Sequence, residues 1–153
     1  MSTLVPSEVT LIRFEDDRTT LGIDGVPEVV VPVGARALAS RLFRHDPPTA
    51  GELERAIDEV EDALESTGLR HGARGDLRIR EPRLLELLGL QAGAARVTRE
   101  EVEARFQTLA AIAQGRPVLR EGTPPSNETA AALLILRECT HHLGYAGVQR
   151  DDP

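Results

Sequence analysis

Near its carboxyl end the chain carries Glu138, His141 and His142, three and four residues apart. On a helix those spacings put one carboxylate and two imidazoles on a common face, within reach of a single metal ion. Di-iron helical bundles use two such Glu-x-x-His pairs and further carboxylates, whereas this sequence offers one pair. The zincin string His-Glu-x-x-His is absent. The plainer reading is a helix C-terminus bearing histidines, whose partial positive charge suits the dipole. Cys139 stands one turn from His142, but it follows an apolar stretch and reads as a small core residue rather than a nucleophile.

Two charged segments follow in order of interest. Residues 68–83 hold Gly68, Gly72 and Gly75 together with Arg70, Arg74, Arg78 and Arg80. Glycines let backbone N–H groups approach a ligand, and arginine grips phosphate or carboxylate in a bidentate fork, so this basic stretch is a candidate anion site. The preferred reading is pairing with the acidic helix just before it, since the two are adjacent in sequence. That helix, 50–66, shows Glu54, Asp58, Glu61, Asp62 and Glu65 on its polar side with Arg55 as its one base, which makes it either a solvated face or a surface for a basic partner. His45-Asp46-Pro47-Pro48 sets an imidazole beside a carboxylate, the makings of an acid–base pair. Adjacent side chains seldom face each other, and the string reads more simply as a corner between helices.

The string Leu21-Gly22-Ile23-Asp24-Gly25 resembles the first phosphate-loop strand of actin-like ATPases. Val26 and Pro27 depart from that pattern, and 153 residues fall short of the two domains such enzymes use. Asp-Gly is also among the strongest two-residue hairpin signals, and the hairpin reading is preferred.

Composition removes several chemistries. All eighteen basic residues are arginine, so Schiff-base, pyridoxal-phosphate and P-loop lysines are impossible. There is no tryptophan, and four aromatic residues are too few for a base-stacking platform. A net charge of −7 argues against general nucleic-acid binding and against docking on an anionic membrane. One cysteine, no signal-peptide pattern and no apolar run of spanning length lead us to expect a soluble, cytoplasmic protein.

The elements that must position these residues come from periodicity. Residues 8–14, 19–23 and 26–33 read as strands of a three-stranded antiparallel meander, with Pro27 and Pro32 marking the third as an edge. Helices are expected over 35–43, 50–66 (capping box Thr49/Glu52), from Pro82 to Gly89, from a second capping box Thr98/Glu101 to Gly115, and from Ser126 or Asn127 to Gly144. Residues 68–80 are expected as a loop with a short strand at Leu77–Ile79, and the tail from Gly147 as polar and frayed. Strands first and helices after give an α+β fold, a single domain over 1–153, with the meander packed against about five helices and helix 128–143 across the sheet.

With no recognisable catalytic set, the sequence reads more as a non-enzymatic accessory or regulatory module than as an enzyme, acting through a protein partner or as a homodimer. Glu54, Asp58, Glu61, Asp62 and Glu65 would be the partner-binding face. No cofactor is expected, with a divalent metal possible. The alternatives are a metal-dependent enzyme or metal-binding protein using Glu138, His141 and His142, and an anion-binding module using Arg70, Arg74, Arg78 and Arg80.

Overall fold

The computed structural model describes residues 10–23, 25–90, 96–115 and 124–151. The expected meander is present: β1 (Thr10–Phe14), β2 (Thr19–Ile23) and β3 (Val29–Val31) pair antiparallel in that order. Asp24 of the expected hairpin turn lies outside the described residues, as do residues 8 and 9 of the first strand. The meander is half of a larger sheet. β4 (Arg74–Ile79), β5 (Arg96–Thr98) and β6 (Tyr145–Arg150) extend it to six strands in the order β3-β2-β1-β4-β6-β5. β1, β4 and β6 run parallel, and β5 is antiparallel at the far edge.

This corrects two expectations. The segment 68–80 is loop only as far as 73. Gly72 N–H donates to the Leu143 carbonyl and Arg74 N–H to the Gly144 carbonyl, which draws the rest into the parallel ladder. The tail is not frayed either. β6 lies between β4 and β5, with Gly147 and Val148 buried and Gly147 to Gln149 flanked by a strand on each side. The class remains α+β, on a mixed sheet rather than a meander alone.

Five helices cover the described sheet: α1 (Ala35–Leu42), α2 (Ala50–Ser66), α3 (Pro82–Leu88), α4 (Arg99–Ala113) and α5 (Asn127–Leu143). Their ends follow local chemistry. Thr49 and Glu52 close a reciprocal capping box on α2. Thr98 and Ser126 each accept an N–H from their own first turn. Gly89 and Gly144 end α3 and α5 with φ of +73° and +88°. α5 is the hub. Its run Ala130–Leu136 is buried on all sides among the other helices and β6.

Strand alternation fixes which sheet face meets them. Ile12, Leu21, Val31, Leu77, Ile79 and Val148 lie on one face and are fully buried. The opposite face carries Arg13, Asp76, Arg78, Arg96 and Gln149, exposed or half-buried. Among the described residues no helix is long and apolar enough to cross a membrane.

Candidate active-site crevice

The chain leaves β1 toward β2 on one side and leaves β4 toward α3 and β6 on the other. The β1–β4 gap is therefore where the connections reverse, and in open sheets ligands bind outside the carboxyl ends of strands at such a point. A crevice of about 980 Å³ opens there. Phe14 and Glu15 bring the end of β1 to it, Glu81 and Arg83 the corner between β4 and α3, Arg105 the middle of α4, and Ser126, Glu128 and Thr129 the first turn of α5.

Glu81 sits at the inner wall. It is the N-cap position of α3, with Pro82 opening the helix, so the strand-to-helix corner turns its side chain back toward β1. Its Oε1 accepts the N–H of Phe14 at 3.3 Å. Burial raises the affinity of this carboxyl for its proton. The Phe14 N–H and neighbouring Arg80 offset part of that, and the net direction is upward. The first turn of α5 adds backbone N–H groups and the positive end of a 17-residue helix.

The β1–β2 turn, Glu15 to Arg18, forms the lip. Asp16 accepts the N–H of Ala37 at 2.9 Å, docking the turn on the first turn of α1. Gly34 permits this approach, because a Cβ there would run into the backbone of Asp16 and Arg18.

Away from the crevice, Glu138 is fully buried. Burial pushes its carboxyl up to about 7; the neighbouring Glu61 adds to the rise, and the Arg137 guanidinium opposes it. Its Oε2 accepts from Arg137, which also holds Glu103 in a fork at 2.7 and 3.0 Å and lies 4.8 Å over the Phe106 ring. Its Oε1 has no donor among the described residues. The proximity of two carboxyls gives it one when either is protonated, so a proton shared with Glu61 fits the site. His141 is exposed and His142 half-buried, and the described residues contain no group of three His, Cys, Asp or Glu placed to hold a metal ion. Glu138 therefore belongs to an interhelical ion network. Cys139 is fully buried, and its thiol is pushed up to about 12 by burial and by Glu138.

The arginine stretch is also largely engaged. Arg74 donates to the Arg70 and Leu143 carbonyls and lies over Tyr145. Arg78 and Arg80 both face Asp151. Arg70 is exposed. The expected pairing with the acidic helix is replaced by pairing with Asp151, since β4 and β6 are neighbours. On α2, Glu54, Asp58, Asp62 and Glu65 are exposed, while Glu61 turns inward. His45 meets Glu52 at 3.0 Å rather than Asp46. Burial would raise the Glu52 carboxyl, but the Thr49 N–H, His45 and the Arg44 N–H together bring it down to about 2.

No family model matches the chain, and no curated protein does. Solved structures do match. A Ppx/GppA phosphatase from Aquifex aeolicus superposes with a TM-score of 0.71 at 16% identity, covering 98% of this chain and 55% of that one. An exopolyphosphatase-like protein gives 0.66 at 14% identity, over 98% and 57%. An exopolyphosphatase from Cytophaga hutchinsonii gives 0.66 at 9%, over 94% and 53%. The chain thus spans a little over half the length of these structures and shares that part's fold. This overturns the expectation of a small non-enzymatic accessory or regulatory module. The likeness is to structures of phosphatases. Sequence reasoning missed Glu81, Arg83 and Arg105. The signal available was Glu81-Pro82, an N-cap and N1 pair directly after the alternating stretch Leu77-Arg78-Ile79-Arg80, which marks a strand-to-helix corner.

Proposed function

We propose that the crevice at the carboxyl ends of β1 and β4 binds phosphoryl compounds and that the chain acts as a phosphohydrolase lobe, with condensed phosphates as the substrate class. The observation that carries this is the position of Glu81: a carboxyl with raised proton affinity, at the switch point of a sheet shared with Ppx/GppA and exopolyphosphatase structures. Arg83 and Arg105 at the rim and the first turn of α5 offset phosphate charge. Glu81 takes a proton from a water as that water attacks the terminal phosphorus. The phosphoanhydride P–O bond breaks, and the shortened chain leaves with its bridging oxygen. A base whose proton affinity lies nearer neutrality suits this task better than an ordinary exposed carboxylate. Among the described residues no group of three His, Cys, Asp or Glu is placed to hold a metal ion at the crevice. A divalent cation is possible as the counter-ion that condensed phosphates bring with them.

The test is release of inorganic phosphate from tripolyphosphate by the purified chain, with and without magnesium. Wild-type protein should release phosphate, and Glu81→Gln should lower the rate by about 10²-fold or more while keeping its melting temperature within a few degrees. No release by wild type under either condition would overturn the hydrolytic reading.

A further inference from the structure

A second concave site lies at the other end of the molecule. β5 runs antiparallel to β6 and delivers Thr98 beside Gly147, so α4 begins at the amino end of the parallel strands, where α5 finishes. Between these helix ends is a basin of about 360 Å³ lined by Arg99, Glu100, Glu103, Arg137, Thr140 and His141. Thr129 at the crevice and Thr140 at the basin are eleven residues apart on α5, which at 1.5 Å per residue is roughly 16 Å.

The basin's two arginines and two glutamates balance in number, but they are not engaged alike. Glu103 is taken up by Arg137 in a two-bonded fork, and Arg137 spends its remaining Nη1 bond on Glu138. Thr140 is buried, and its hydroxyl donates to the Arg137 carbonyl. Glu100 is exposed, and its field acts on Arg96. Arg99 is left half-buried with its Nε atom wholly buried and, among the described residues, without a hydrogen-bond partner. An orphaned donor of this kind costs about 1–3 kcal/mol, more where the group is charged, unless something accepts from it. His141 stands at the rim, able to present a ring N–H to the same space.

We propose that this basin binds a small oxyanion, held by the Arg99 guanidinium with His141 as second donor. The site is distinct from the crevice and independent of the hydrolytic reading. Its volume is at the small end for ligand pockets and suits a molecule of few heavy atoms. The bound group is a carboxylate or a phosphate, since a guanidinium fork takes either.

The experiment is NMR titration of the whole labelled chain, in separate samples, with inorganic phosphate and with succinate, each to 10 mM. The proposal expects saturable shifts of the Arg99 Nε–H and the His141 ring signals with at least one probe, and which probe acts assigns the source. Arg99→Gln should abolish those shifts, and Arg83→Gln should leave them intact. Shifts confined to crevice signals, an unaltered basin with both probes, or binding that survives Arg99→Gln would each overturn the proposal. Should Arg99→Gln fail to fold, the wild-type titration decides alone.

Discussion

At the scale of single residues, the fold treats two glutamates in opposite ways. Glu52 is capped by N–H donors and His45, which favour its charged form. Glu138 is fully buried near Glu61, which favours its neutral form despite Arg137. A carboxyl whose folded value is raised gives stability that is complete below its unfolded value near 4.5 and is lost as pH climbs through about 7. Glu138→Gln mimics the protonated acid, accepting from Arg137 while donating toward Glu61. The wild-type melting temperature should therefore fall between pH 5 and pH 8 relative to the variant, by the equivalent of about 2 kcal/mol. Thermal unfolding of both proteins across that range checks this, and parallel curves would show that Glu138 stays ionised in the fold. The sequence put Glu138, His141 and His142 on one helix, and they are. It could not show that α2 brings Glu61 and α4 brings Glu103 to the same place, because those meetings depend on packing between helices far apart in the chain.

At the scale of elements, the helices were legible and half the sheet was not. Thr49-x-x-Glu52, Ser126, Gly89 and Gly144 are local signals, and local signals fixed where helices start and stop. β4 was marked only over Leu77–Ile79, and β6 had no mark at all. Arg74–Ile79 alternates poorly and opens on Arg-Gly-Asp, and Tyr145–Arg150 looks like a polar tail. Their strand character comes from parallel pairing across about 70 residues, which no window of sequence contains. The joint between the two shows how tightly they fit. Gly144 has φ +88°, and a Cβ there would collide with the Gly72 carbonyl. Gly144→Ala should therefore cost well over the ~1 kcal/mol of an ordinary C-cap substitution. Urea denaturation measures it, and a loss under 1 kcal/mol would mean that the loop before β4 yields without resistance.

At the scale of the molecule, β6 stands between β4 and β5, and α5 feeds directly into it. Removing residues 145–153 should abolish cooperative unfolding, whereas a frayed tail could be lost without consequence. Circular dichroism of the truncated chain distinguishes the two. The same architecture decides where function is sought. Composition excluded lysine chemistry, and charge argued against nucleic acid, but neither located a site. The site became visible once β1 and β4 were neighbours, because that adjacency gathers Glu15, Glu81, Arg83 and the start of α5 around one crevice. The central claim is that this crevice receives phosphoryl ligands. It is tested most directly by titrating the ¹⁵N-labelled chain with tripolyphosphate and following backbone signals. Saturable shifts are expected, concentrated at Phe14, Glu15, Glu81 to Leu84 and Ser126 to Thr129. Saturable shifts that leave those residues unmoved, or none at millimolar ligand, would contradict it.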